Sequence, residues 1–217
     1  MKDWHKSHGK VMKDFMAWLN AKTDNFILKG GTALFLCYDL DRFSEDIDLD
    51  GHMKGLDDIV ADFCNEYGYS FRVAKNTDTV ERYMVHYGNE RRPLKIEASF
   101  RRKSIDKEET QIINGILVYK IEPLCIMKVN AYTSRDKIRD LYDLTFICKH
   151  FFEKLSPQAA ALLRSAVEYK GIEHFDYIIK DQQDELTDNE QLAEDFLVMY
   201  EKLGLLHDGM NLNNNSR

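Results

Sequence analysis

The spacing of apolar residues changes period along the chain, and the changes mark out its elements. Val11 to Leu19 (VMKDFMAWL) repeats apolar residues at helical spacing and predicts a short amphipathic helix. Phe26 to Leu28 predicts a brief apolar strand, Gly30-Gly31 interrupts it, and Thr32 to Tyr38 continues as an apolar helix. Asp39 to Ser44 is a loop carrying Arg42. Asp46 to Asp50 alternates acid with aliphatic and predicts a strand. Leu56 to Tyr67 predicts a helix stopped by Gly68.

Beyond Gly68 the period becomes two. Tyr69 to Val73, Val80 to Tyr87, Leu94 to Phe100 and Ile112 to Val118 predict four consecutive strands, with loops at Gly88 to Pro93 and Arg101 to Gln111. From Glu122 the pattern is helical: Glu122 to Tyr132, Lys137 to Phe152 and Pro157 to Tyr169. A capping box at Thr187 to Glu190 opens a last helix that runs to about Leu203, before Gly204. The fold class is therefore α+β. A mixed part with a sheet spans residues 1–120, a helical part follows over 121–210, and the polar tail NLNNNSR, 211–217, is expected to be disordered.

Composition narrows the classes. Apolar residues make up 44% and only three prolines occur, as in an ordinary globular protein. A net charge of −7 excludes a uniformly basic nucleic-acid-binding surface but leaves room for a local basic patch. Arg91-Arg92 and Arg101-Arg102-Lys103 are the basic clusters that an RNA backbone could follow. Cys37, Cys64, Cys125 and Cys148 form no CxxC pair and read as buried thiols of a reducing compartment. No apolar run suits a signal peptide or a membrane span, so a soluble, cytoplasmic protein is expected. His5 and His8 are spaced i, i+3 without further ligands nearby and read as surface residues.

The chemistry concentrates between Leu28 and Asp50. On a strand, Asp46, Asp48 and Asp50 share one face, and like charges there call for a cation. Hard carboxylate oxygens favour Mg²⁺ or Mn²⁺. Just upstream, a glycine pair opens a helix directly after a strand, an arrangement whose free N–H groups bind phosphate. A phosphate cradle followed by D-x-D is the layout of metal-assisted phosphoryl chemistry. A later alternating strand, Lys95 to Ser99, offers Glu97 as a third carboxylate. Lys128 lies within an apolar helical stripe of Leu124, Met127, Ala131 and Tyr132, which is uncommon for an unpaired lysine. Arg42 and Ser44 enter the acidic strand; the arginine suits a phosphate and suits bracing an acid equally well.

The run LKGGTAL through RFSEDIDLD, together with LCIMKVNAYTSRDKIRDLYDL at Leu124 to Leu144, resembles the AbiEii/AbiGii-type nucleotidyltransferase toxins of the DNA polymerase beta-like superfamily. The two motifs cover about half the chain. The resemblance implies a polymerase beta-like nucleotidyltransferase core, a mixed sheet with flanking helices, followed by a helical region that completes the active site. It implies that Gly30, Gly31 and Thr32 hold the triphosphate and that Asp46 and Asp48 bind Mg²⁺. Lys128 would contact the nucleotide phosphates, and Asp143 or Asp140 would complete the site. The implied activity is transfer of NMP from an NTP to an acceptor. The expected acceptor is tRNA, for the toxin of a type IV, abortive-infection-like toxin–antitoxin pair in phage defence, with an antitoxin as partner. A protein or a small molecule such as an aminoglycoside is the alternative acceptor, and a non-catalytic interaction protein that retains the fold is the rival class.

Overall fold

The structure, a computed structural model, describes residues 3–88, 92–102 and 104–206. Its contacts cluster into two compact units, Met1–Lys120 and Ile121–Arg217. Parts of three expectations lie outside the described residues: Arg91 and Lys103 of the basic clusters, the loop positions between Gly88 and Arg92, and the tail at 211–217.

In the first unit the elements run α1 (Asp3–Lys22), β1 (Phe26–Lys29), α2 (Gly30–Cys37), β2 (Asp46–Gly51) and α3 (Leu56–Tyr67). Then come β3 (Ser70–Thr77), β4 (Val80–His86), β5 (Leu94–Ser99), β6 (Thr110–Ile113) and β7 (Ile116–Tyr119). Among the described residues the strands form one sheet in the order β3-β4-β5-β2-β1-β7-β6. β2 lies near the middle, antiparallel to β1 and parallel to β5. β1 and β7 are also parallel, so the sheet is mixed.

Register separates the sheet into two chemically distinct faces. Leu28, Ile47, Leu49, Tyr83, Val85, Ile96, Ala98 and Val118 fall on one face, and all are buried. Burial of this kind stabilises by about 25 cal/mol per Å² of apolar surface. Phe15 of α1 meets Phe63 of α3, with ring centroids 5.2 Å apart. The opposite face carries Lys29, Asp46, Asp48, Asp50, Arg82, Lys95 and Glu97.

Two sequence expectations about this unit need correction. Ile112 to Val118 is two strands, because Asn114 (φ 52°) and Gly115 (φ 79°) turn the chain back into the hairpin β6–β7. Asn-Gly is the pair that such a left-handed turn favours. His5 and His8 are 7% and 1% exposed, not at the surface. His5 stacks on Phe43 at 4.3 Å. His8 Nε2 donates to the Glu45 carbonyl at 2.7 Å, and its Nδ1 accepts from the Tyr87 hydroxyl. The apolar spacing of α1 begins only at Val11, so nothing local announces that its first turns are packed by aromatic residues.

The second unit is helical: α4 (Ile121–Ser134), α5 (Ile138–Phe151), α6 (Pro157–Asp181) and α7 (Asn189–Lys202). α6 is two helical stretches joined at Gly171 (φ 73°, ψ 173°), where the backbone leaves the helix: the first ends close to the expected Tyr169, and a second runs on to Asp181. The N-cap of α7 is Asp188, not Thr187: its carboxylate accepts from the Glu190 and Gln191 N–H groups at 3.0 and 3.1 Å. All four cysteines are buried free thiols. Among the described residues no helix is long and apolar enough to cross a membrane.

Candidate active site

The glycine turn comes first in the chain. β1 ends at Lys29, which caps α2 with extended backbone and no side-chain hydrogen bond, so the first N–H groups of α2 have no side-chain cap. Gly30 takes a left-handed φ of 75°, and a Cβ there would come 3.4 Å from Asp48 Oδ2. The missing side chain thus keeps the floor beside Asp48 open. Gly31 has a different reason to be glycine: a Cβ would meet Arg42 Nη2 at 2.8 Å and Ser44 Oγ at 3.1 Å.

Arg42 and Ser44 are therefore beneath the turn. Both are buried, and Arg42 Nη1 donates to the Phe43 carbonyl at 3.1 Å. Thr32 is buried too. Its hydroxyl hydrogen-bonds Ser44 Oγ at 2.9 Å and donates to the backbone carbonyl of Asp46. These three side chains tie the start of α2 to the start of β2. With His8 holding the Glu45 carbonyl, they fix the strand end that carries the acids.

On the charged face, Asp46 and Asp48 stand opposite Lys95 and Glu97 of β5. Lys95 Nζ lies 2.9 Å from Asp46 Oδ2 and 3.5 Å from Asp48 Oδ1, so one ammonium sits on both carboxylates. The two acid side chains remain 47% and 39% exposed. Burial lowers the Lys95 ammonium, but Asp48 and Asp46 outweigh it and hold its pKa above the ordinary value. Partial burial raises the Asp48 carboxyl; Lys95 opposes the rise, while Asp46 and Glu97 add to it. Glu97 is drawn to Arg82 Nε at 2.5 Å. Asp50, 3% exposed, is held by Lys29 Nζ at 2.5 Å and by the Tyr119 hydroxyl at 2.9 Å. Two neighbouring acids on one strand thus differ: Asp48 faces outward, while Asp50 is bound into the sheet.

This donor set fits a divalent cation. Asp46 and Asp48 offer hard, partly exposed oxygens, Lys95 already places a positive charge between them, and Gly30 leaves room beside Asp48. Among the described residues no three His, Cys, Asp or Glu side chains stand close enough to hold a metal without rearrangement.

The second unit carries its own charged cluster. Lys128 of α4 is 9% exposed, and its Nζ lies 2.6 Å from Asp143 Oδ2 and 3.1 Å from Asp140 Oδ1, both on α5. Asp140 also accepts from Arg135 at 2.7 and 3.1 Å. Burial favours the neutral form of Asp140, but Arg135 and Lys128 outweigh it and hold the carboxyl below its ordinary value. The lysine that stood out inside an apolar stripe is thus buried as an ion pair. Sequence reasoning missed Lys95, Lys29, Arg82 and Tyr119 as partners of the acids. The alternation in KIEAS put Lys95 on a strand face, but only the β2–β5 register brings that face to the D-x-D.

A mixed sheet whose central strand presents D-x-D beside a glycine-opened helix is the core of a polymerase beta-like nucleotidyltransferase. The chain belongs to the nucleotidyl transferase AbiEii toxin family of type IV toxin–antitoxin systems, whose model matches residues 11–208. Two solved structures are similar at 30% identity and a TM-score of 0.78. They are JHP933 from Helicobacter pylori, with 98% of each chain covered, and a candidate nucleotidyltransferase from H. pylori, with 95% of this chain and 98% of that one covered. No curated protein matches the sequence.

Proposed function

We propose that the protein is a Mg²⁺-dependent nucleotidyltransferase toxin that transfers NMP from an NTP to the 3′ end of tRNA and is restrained by a cognate antitoxin. The observation that carries this reading is the pair Asp46 and Asp48, half-exposed on β2, sharing one cation beside the glycine-opened α2.

The N–H groups at Gly30, Gly31 and Thr32 receive the triphosphate, since the first turn of α2 has no side-chain cap competing for them. Asp46 and Asp48 would hold Mg²⁺, with Glu97, which now pairs with Arg82, as a further candidate carboxylate. Bound there, the ion supplies charge neutralisation to the phosphates and activation to the attacking oxygen. The acceptor hydroxyl forms a bond to the α-phosphorus as the bond to the β-phosphate oxygen breaks. Pyrophosphate leaves with its electron pair, and the hydroxyl proton passes to Glu97 or to an acid of the D-x-D. Arg42 and Ser44 support the turn from beneath. The family resemblance implies a contact of Lys128 with the nucleotide phosphates, with Asp143 and Asp140 orienting the lysine within its own unit.

The test is incubation of the protein with each α-labelled NTP, Mg²⁺ and total RNA, beside the Asp46→Asn, Asp48→Asn variant. Label on a tRNA-sized band with the wild type alone supports the reading. Label on protein or on a small molecule replaces the acceptor. No label with any NTP, and no NTP binding, overturns the reading.

A further inference from the structure

The face that carries the D-x-D does not end at β5. Register continues it in two crosswise rows: Asp46, Lys95, Met84, Arg72 in one and Asp48, Glu97, Arg82, Lys75 in the other. Moving outward from the acids, the sheet turns basic. The acids it holds there, Asp46, Asp48 and Glu97, already face Lys95 or Arg82. Arg72 and Lys75 are exposed, and neither has an ion-pair partner among the described residues.

A single irregularity builds this pattern. Val73 pairs with Tyr83 and Lys75 pairs with Arg82, so Ala74 is an extra residue in β3. In an unbroken strand Lys75 would follow Val73 onto the Tyr83 face. The bulge moves it onto the face of Arg72 and Arg82. The basic clusters visible in sequence are used differently: Arg92 pairs with Glu45 at 2.5 Å, and Arg102 pairs with Glu109 at 2.8 Å.

We propose that the outer sheet, with Arg72 and Lys75 of β3 at its rim and Arg82 behind them, is the track for the acceptor's sugar–phosphate backbone as its 3′ end reaches Asp46 and Asp48. This rests on the polynucleotide-acceptor reading above. β3 is three strands from β2, roughly 14 Å at about 4.8 Å per strand, so the cations meet phosphates upstream of the reacting end. The rows carry no aromatic side chain on which bases could stack. The track therefore holds the backbone with little regard to sequence. Charge complementarity favours this occupant: the chain is −7 overall, and this exposed basic rim adjoins its acidic centre.

The experiment measures binding of fluorescently labelled, unfractionated tRNA to the full chain without NTP, for the wild type, Arg72→Glu/Lys75→Glu and Arg72→Gln/Lys75→Gln. ATP, CTP, GTP and UTP binding and the melting curve of each variant are recorded alongside. The expected result is a tenfold or greater loss of tRNA affinity in the charge reversal. In the Gln variant, the slope of log affinity against log salt falls by about 1.4, two phosphates at about 0.7 each. NTP binding and melting stay at the wild-type level. Wild-type tRNA binding that neither variant changes overturns the track alone and leaves the basic rim to a protein partner with an acidic surface. NTP binding without any tRNA binding by the wild type overturns the track and the tRNA reading together.

Discussion

Lys128 shows how one side chain can be read twice. Its ammonium neutralises Asp143, which is fully buried, and Asp140, which keeps Arg135 as a second partner. Lys128→Met removes a buried ammonium that lies 2.6 Å from Asp143 and 3.1 Å from Asp140 and should lower stability by about 3–5 kcal/mol in urea unfolding. Asp143→Asn should cost less. On the proposed phosphate role, NTP affinity should fall in Lys128→Met and, by less, in Asp143→Asn, which removes one of the carboxylates that orient the lysine; unchanged affinity in both would leave Lys128 a structural ion pair only. Asp140 sets a pH dependence. Its folded pKa lies below the unfolded value of about 3.9. Its stabilising contribution is complete above that value and is lost as pH falls through the lower folded one. Asp140→Asn should therefore lower stability at neutral pH and flatten the acid limb of urea midpoints measured from about pH 7 to 2. At the glycine turn, Gly31→Ala should cost about 1–3 kcal/mol, since the new Cβ lies 2.8 Å from the buried Arg42 guanidinium.

Elements were legible where the signal was local. α3 spans Leu56–Tyr67 as the apolar spacing and Gly68 predict, and β2 follows from the alternation of acid and aliphatic. The alternation also placed the acids of the D-x-D on one face. Boundaries failed where a backbone feature overrode the pattern. Asn114-Gly115 divides a run that reads as continuous strand, and beyond the break at Gly171 a second helical stretch runs to Asp181 that the pattern did not announce. Gly171 sits at φ 73°, ψ 173°, a region that side chains strongly disfavour, and a Cβ there would lie 3.0 Å from Glu173 Oε2. Gly171→Ala should therefore destabilise by about 1–3 kcal/mol in urea unfolding. A change near zero would mean that the kink relaxes to regular helix. The β3 bulge was illegible for the same reason: no residue in FRVAKNT announces which position the ladder will skip.

At the scale of the molecule, what stayed hidden in the sequence was pairing across distance. Lys95 and Asp46 are far apart in the chain, and the parallel β2–β5 register makes them neighbours. Tyr119 reaches Asp50 in the same way. The proposed Mg²⁺ site at the D-x-D can be tested on the whole protein: Mg²⁺ at 100 times its Kd should stabilise the wild type by about 2.7 kcal/mol. Asp46→Asn/Asp48→Asn should show no such gain.

The position of Lys95 separates the chain's survival from its activity. Because the Lys95 ammonium lies on both aspartates, the chain itself offsets their like charges. On the proposed Mg²⁺ dependence, chelation should then silence the protein and leave it intact, so that restoring Mg²⁺ restarts it with no refolding step. Removing the placeholder should join the two properties again: Lys95→Met should melt earlier in EDTA than the wild type and regain most of the difference when Mg²⁺ is added. On that proposal, the toxin can be made before a metal arrives and outlast its withdrawal.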